Sequence, residues 1–240
     1  MNIVDFAILF IMAISMIIGA YNGFILSALH AASFFLSWII AVIFYPMLTK
    51  ILLNLFPNLL STIAFYVDGS AKITNVEDRM TNIGSFTKDQ ISRIVDRLAL
   101  PNPFSRILTS DVFQSTNGLK SLGEFFDSTM ATIIINIISF LLLFLLVKLL
   151  FIIIISIGKA IRNLPVLKQF DSLVGMGFGL IRGFFIIYLF FALIPILMTL
   201  APADIINEYL DGSLLSDFFY STNIFTNFVR GSLSIIFTAI

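Results

Sequence analysis

Apolar residues dominate 3–20, 24–45, 130–157 and 174–201, and most of the charged residues fall between these runs. Each run is near or above the ~18 residues that a helix needs to cross a ~30 Å hydrocarbon core. The pattern predicts four membrane-spanning helices in two hairpins, 1–45 and 130–201. The segment 46–129 and the tail 202–240 alternate differently. In 87–100, Ile91, Ile94, Val95 and Leu98 recur at helical spacing, with Lys88, Asp89, Arg93, Asp96 and Arg97 on the other faces, which predicts an amphipathic helix. The stretches 51–66 and 214–237 are richer in Leu, Ile and Phe and suit the bilayer interface. Breaks are expected at Pro57, Asp68-Gly69, Pro101-Asn102-Pro103 and Asp211-Gly212.

Composition agrees: 59% of residues are hydrophobic, 12% are charged and the mean hydropathy is +1.03, too apolar for an ordinary water-facing surface. No Lys or Arg precedes the first run, Asp5 stands at its start and no A-x-A-like site closes it, so it is expected to remain as a span. Charge then sets direction. The segment 158–170 carries Lys159, Arg162 and Lys168 without an acid and belongs on the cytoplasmic side. Four spans place both termini and 46–129 outside, consistent with Asp204, Glu208, Asp211 and Asp217 against Arg230 in the tail. The chain has no cysteine and hence no disulfide framework.

The two halves echo one another. GAYNGF (19–24) matches GLIRGF (179–184) as G-x-x-x-G-F, YVDGS (66–70) matches YLDGS (209–213), and SDVFQSTN (110–117) agrees with SDFFYSTN (216–223) at six of eight positions. The same order in both halves reads as an internal duplication of a hairpin followed by an outer amphipathic segment, related by an axis along the membrane normal. The SD-x-F-x-STN copies supply caps and turns through short polar side chains.

Gly175, Gly179 and Gly183 recur every four residues and form a shallow groove on which another backbone can lie. The 28 residues of 174–201 extend about 42 Å, longer than the core. Two arrangements absorb the excess. Either 171–182 is a short inner or re-entrant half-helix and the span starts near Gly183, with Arg182 in the headgroup zone, or one tilted helix lets Arg182 snorkel.

Asp5, the G-x-x-x-G turn of Gly19 and Gly23, and the block Leu164, Pro165, Leu167, Asp171, Leu173, Gly175, Gly179, Arg182 and Gly183 resemble the colicin V production protein family, CvpA, over roughly residues 1–200. Where that family often carries an Arg before the second Gly of the first turn, this chain has Asn22. The resemblance implies a bacterial inner-membrane protein tied to production or export of a peptide toxin and to envelope function. It implies no reaction and no transported substrate.

Polar residues inside the spans complete the candidates. Ser27, His30, Ser33 and Ser37 form one helical stripe, as do Asn136 and Ser139, and they face protein or water. Hydrogen bonds between helices explain them; a proton or substrate path is the other reading, with His30, the only histidine, as its pH-sensitive group. Lys148 snorkels, pairs with Asp171 or lines a cavity. No G-x-S-x-G, H-E-x-x-H, P-loop or Cys/His metal spacing is present, so an enzyme, a cofactor and a metal are not expected. The expected partners are the lipid bilayer, further copies of the chain and envelope or export proteins, and no nucleic acid. An accessory or scaffold protein is the first reading, a small transporter or channel with a polar path between the repeats the alternative.

Overall fold

The computed structural model describes residues 2–98, 100, 103–110, 121–158, 171–200 and 203–227. Most of these residues are helical, with no strand among them. In chain order the helices are α1 (Ile3–Leu55), α2 (Leu59–Val67), α3 (Val76–Met80), α4 (Lys88–Arg97), α5 (Phe104–Ser110), α6 (Leu122–Gly158), α7 (Asp171–Phe191), α8 (Ile194–Leu200), α9 (Ala203–Asp211), α10 (Ser216–Ser221) and α11 (Ile224–Asn227). Among them, Ile3–Leu55, Leu122–Ser156 and Asp171–Thr199 are long and apolar enough to cross a membrane. Large apolar side chains stay exposed along these helices, including Phe6, Phe10 and Ile17 on α1 and Leu145, Leu149 and Ile154 on α6. On a water-soluble protein such continuous patches would drive association, whereas lipid tails cover them without cost.

The first of the three is two helical arms. Gly23 breaks it with φ 73° and ψ 179°, a conformation open to glycine and strained for any residue with a Cβ. On an unbroken helix Phe10 and Phe34 would stand about 36 Å apart. They line the same cavity, so the chain folds back at Gly23. The second arm runs beyond Tyr45, where the apolar run ends in the sequence, through Pro46 to Leu55. It stops just before Pro57.

The chain packs as two compact units, one made of Met1–Ile43, Leu141–Leu193 and Ala203–Phe225, the other of Phe44–Phe140, Ile194–Pro202 and Thr226–Ile240. In the second unit, Phe125, Phe126, Met130 and Ile133 of α6 are fully buried, as are Ile91 and Val95 of α4 and Phe104 and Leu108 of α5. The amphipathic α4 starts at a capping box: Gln90 N–H donates to the Thr87 hydroxyl at 3.4 Å and Thr87 N–H to Gln90 Oε1 at 2.7 Å. In the first unit, Phe184, Tyr188 and Phe191 of α7 pack around Phe219 of α10.

The last long helix departs from the half-helix expectation. α7 continues through Arg182 and Gly183, and the interruption falls at Ala192-Leu193, before α8. Pro195 is the reason. It has no N–H for the Phe191 carbonyl, and its ring clashes with that carbonyl if the helix continues. The chain tightens instead, with Leu193 N–H bonded to Phe190 O at 3.1 Å. Arg182 therefore sits three turns inside a continuous helix, about 16 Å from Asp171, and not at the start of one.

Two carboxylates open long helices and bind the two copies of the D-G-S sequence. Asp5, fully buried in the first turn of α1, accepts from the Ser213 hydroxyl at 2.6 Å and from Leu215 N–H at 3.0 Å. In the other unit Asp127, in the second turn of α6, accepts from Ser70 N–H at 2.7 Å.

Candidate functional site

Seen from α7, the glycines face the first arm of α1, and the two run antiparallel. A Cβ on Gly19 would lie 2.8 Å from Gly179 Cα and closer still to the Gly175 carbonyl; one on Gly179 would collide with the Ser15 carbonyl and come within 3.1 Å of Gly19 Cα and Met16 Cα. Gly183 meets Ser15, whose Cβ would be 3.2 Å away. The contact is Ser15, Gly19 and Gly23 against Gly183, Gly179 and the Asp171–Gly175 turn, a small-residue seam on which two backbones touch. Gly177 lies off this face, and a methyl added there would have nothing within 4 Å.

At the end of the seam the break in α1 is sealed from both sides. Phe24 N–H, the first of the second arm, donates to Asp171 Oδ1 at 2.6 Å, so the carboxylate of α7 serves as a cap and sets its negative charge at a helix start. The Ser27 hydroxyl donates to the Gly19 carbonyl in the last turn of the first arm at 2.9 Å. Both kinds of orphan group at a helix end thereby find partners.

Asp171 is thus engaged with Phe24, and Lys148 does not pair with it. Instead the Lys148 ammonium donates to the His30 carbonyl at 3.2 Å and to the Ser33 hydroxyl, and lies 3.6 Å from the centre of the Phe34 ring. Arg182 donates through Nη2 to the Ser15 carbonyl at 3.3 Å, while its buried Nε has no hydrogen-bond partner among the described residues. Ser15, His30, Phe34, Lys148 and Arg182 line one cavity of about 440 Å³. Its remaining wall is apolar.

Of the residues singled out by sequence, Gly19, Gly23, Asp171, Gly175, Gly179 and Gly183 meet along the seam and its end, and His30, Lys148 and Arg182 meet at the cavity. Along the polar stripe, Ser27 and Ser33 make the expected bonds between helices, Ser27 to the Gly19 carbonyl and Ser33 as acceptor from Lys148, while Ser33 and Ser37 also donate to the His30 and Ser33 carbonyls of their own helix. Asn136 receives the Thr49 hydroxyl at 3.0 Å in the other unit, and the buried Ser139 hydroxyl finds no partner among the described residues. Sequence reasoning passes over Ser15, although Ser15-x-x-x-Gly19-x-x-x-Gly23 repeats the spacing of the α7 glycines. The described residues contain no group of three or more His, Cys, Asp or Glu able to hold a metal. Lys159, Arg162, Leu164, Pro165, Leu167 and Lys168, with 111–117 of the first SD-x-F-x-STN copy, lie outside the described residues.

The family model described as "Colicin V production protein" matches residues 4–71 and 112–223. Both sides of the seam and every residue of the cavity's polar end lie in those two blocks. No curated protein and no solved structure matches the chain.

Proposed function

The chain belongs to the colicin V production protein family, and from that premise we propose that it is a multi-pass accessory protein of the bacterial inner membrane, assisting production or export of a colicin V-like toxin and maintaining the envelope. It performs no chemistry of its own in this reading. The observation that carries the proposal is the family match across both blocks of the seam. Three apolar helices, one folded back on itself at Gly23, support four crossings in two hairpins, and the cations of 158–170 without an acid favour both termini outside. The reciprocal use of the two D-G-S copies supports an internal duplication. A continuous channel is disfavoured because Ser33 and Ser37 spend their hydroxyl protons on their own helix.

Deletion of the gene in a bacterium that secretes a colicin V-type peptide tests the role. Secreted toxin and resistance to envelope stress should fall together and return with the native chain. Unchanged secretion and resistance would refute the proposal. Single cysteines at Ser70, Asn163 and Ser232 test the arrangement in the membrane: an impermeant thiol reagent should label Ser70→Cys and Ser232→Cys in intact cells, and labelling of Asn163→Cys alone would reverse it.

A further inference from the structure

The cavity beside the seam holds two cations and no acid. Lys148 is 7% exposed, and among the described residues its ammonium bonds only neutral oxygens and the face of Phe34. The guanidinium of Arg182 spends one donor on the Ser15 carbonyl, and its buried Nε has no partner among the described residues. Among the described residues no carboxylate lines this space, and the nearest acid of the seam, Asp171, is committed to the Phe24 N–H. Two cations enclosed in apolar surroundings repel each other and lose hydration, a combination relieved by an anion between them. The planar guanidinium, with donors to spare, suits the oxygens of a phosphate or carboxylate.

The rim tells where the anion comes from. Phe10, Ile14, Ile18 and Ile152 border the cavity and are 66%, 39%, 40% and 45% exposed on faces that the membrane reading turns toward lipid. A free ion and a lipid phosphate shed the same water on entering, but the lipid's acyl chains lie against this apolar rim and offset part of that cost. A volume of about 440 Å³ accommodates a headgroup and leaves two acyl chains outside, along those exposed side chains.

We propose that this cavity binds the phosphate of an anionic membrane lipid, hydrogen-bonded by Arg182, with Lys148 as the fixed charge behind it and the acyl chains lying over Phe10, Ile14, Ile18 and Ile152. The site rests on the membrane reading above and not on any part in toxin export. A zwitterionic lipid is a poor occupant, because its quaternary ammonium adds a third cation to the same space.

The test uses the purified full chain in a non-ionic detergent, titrated with phosphatidylglycerol, with phosphatidylcholine of the same acyl chains, and with inorganic phosphate, and read by native mass spectrometry and thermal unfolding. Phosphatidylglycerol should bind and raise the unfolding temperature, phosphatidylcholine should bind at least about tenfold more weakly, and inorganic phosphate should neither bind nor compete at equal concentration. Arg182→Gln should weaken phosphatidylglycerol binding by about ten- to a hundredfold, the range of a lost charge-assisted hydrogen bond. Lys148→Met, which keeps the unbranched stem, should weaken it as well, and Arg97→Gln on α4 should leave it unchanged. Equal binding of the two lipids by the native chain overturns the proposal even if neither cavity variant folds. So does phosphatidylglycerol binding retained by Arg182→Gln, and competition by inorganic phosphate assigns the cavity to a free ion instead. Failure of lipid selection alongside the expected secretion defect of the deletion strain removes this site alone; selection without any secretion defect removes the export role alone.

Discussion

Three alanine substitutions on α7 separate the seam from the helix that carries it. Gly177→Ala, Gly183→Ala and Gly179→Ala all replace a poor helix former by the best one in the same helix, a common gain of about 1 kcal/mol. What the new methyl meets differs. At Gly177 it has nothing within 4 Å; at Gly183 it meets the Ser15 side chain at 3.2 Å and 3.3 Å; at Gly179 it is driven into the Ser15 carbonyl and to 3.1 Å from two Cα atoms. At Gly183 a shift of a few tenths of an ångström relieves the contacts, whereas at Gly179 two backbones must be pushed apart, at an overpacking cost of about 1–3 kcal/mol. Gly177→Ala should therefore be more stable than the native chain and Gly183→Ala close to it. Gly179→Ala should fall below Gly177→Ala by about 1–3 kcal/mol, the whole packing term, since propensity cancels between them. Reversible unfolding of the purified protein in mixed micelles by increasing sodium dodecyl sulfate, followed by circular dichroism, gives the comparison. If Gly179→Ala is as stable as Gly177→Ala, the backbones do not touch there and the seam is wrong.

Two further substitutions probe the ends of the helices, and the same unfolding assay reads both. Gly23→Ala puts a Cβ into the Asp171 carboxylate and holds a non-glycine residue at φ 73°, so the pair Gly23→Ala/Asp171→Ala should remain about 1–3 kcal/mol less stable than Asp171→Ala alone; full rescue by the second change would show that backbone strain is absent. Asp5→Ala leaves the Ser213 hydroxyl and Leu215 N–H without their acceptor in a buried place and should cost about 1–3 kcal/mol with faster proteolysis of 209–223, an effect that Asp5→Asn should partly spare; unaltered stability and proteolysis in Asp5→Ala would count against the cap.

Long apolar runs are legible in a sequence because length and hydropathy suffice to define them, and the glycine spacing on α7 is legible because a helix repeats every 3.6 residues. Where the last long helix breaks is harder to read. Analogy with Gly23 points to an interruption near Gly183, but glycine only permits a break, and nothing compels one at 183, where Ser15 packs against the helix. Proline removes a bond and adds a clash, so Pro195 sets the position. The partners of Lys148 are hidden for another reason. His30 and Ser33 lie 118 and 115 residues away, and their neighbourhood exists only because α1 reverses at Gly23. Charge alone points Lys148 at the one acid within reach of the Gly-rich block, Asp171, whose cap to Phe24 no local pattern announces.

The link between Asp5 and Ser213 also sets an order of events during synthesis. Asp5 leaves the ribosome before its partner, which follows 208 residues later. At roughly 5–20 residues per second that is a delay of about 10–40 s. Throughout it the carboxylate at the head of the first helix has only water and its immediate neighbours to bind. A chain truncated before the second D-G-S would lack the Ser213 and Leu215 donors and leave the carboxylate to its local partners alone, a difference by which a quality-control protease could distinguish it from a finished one.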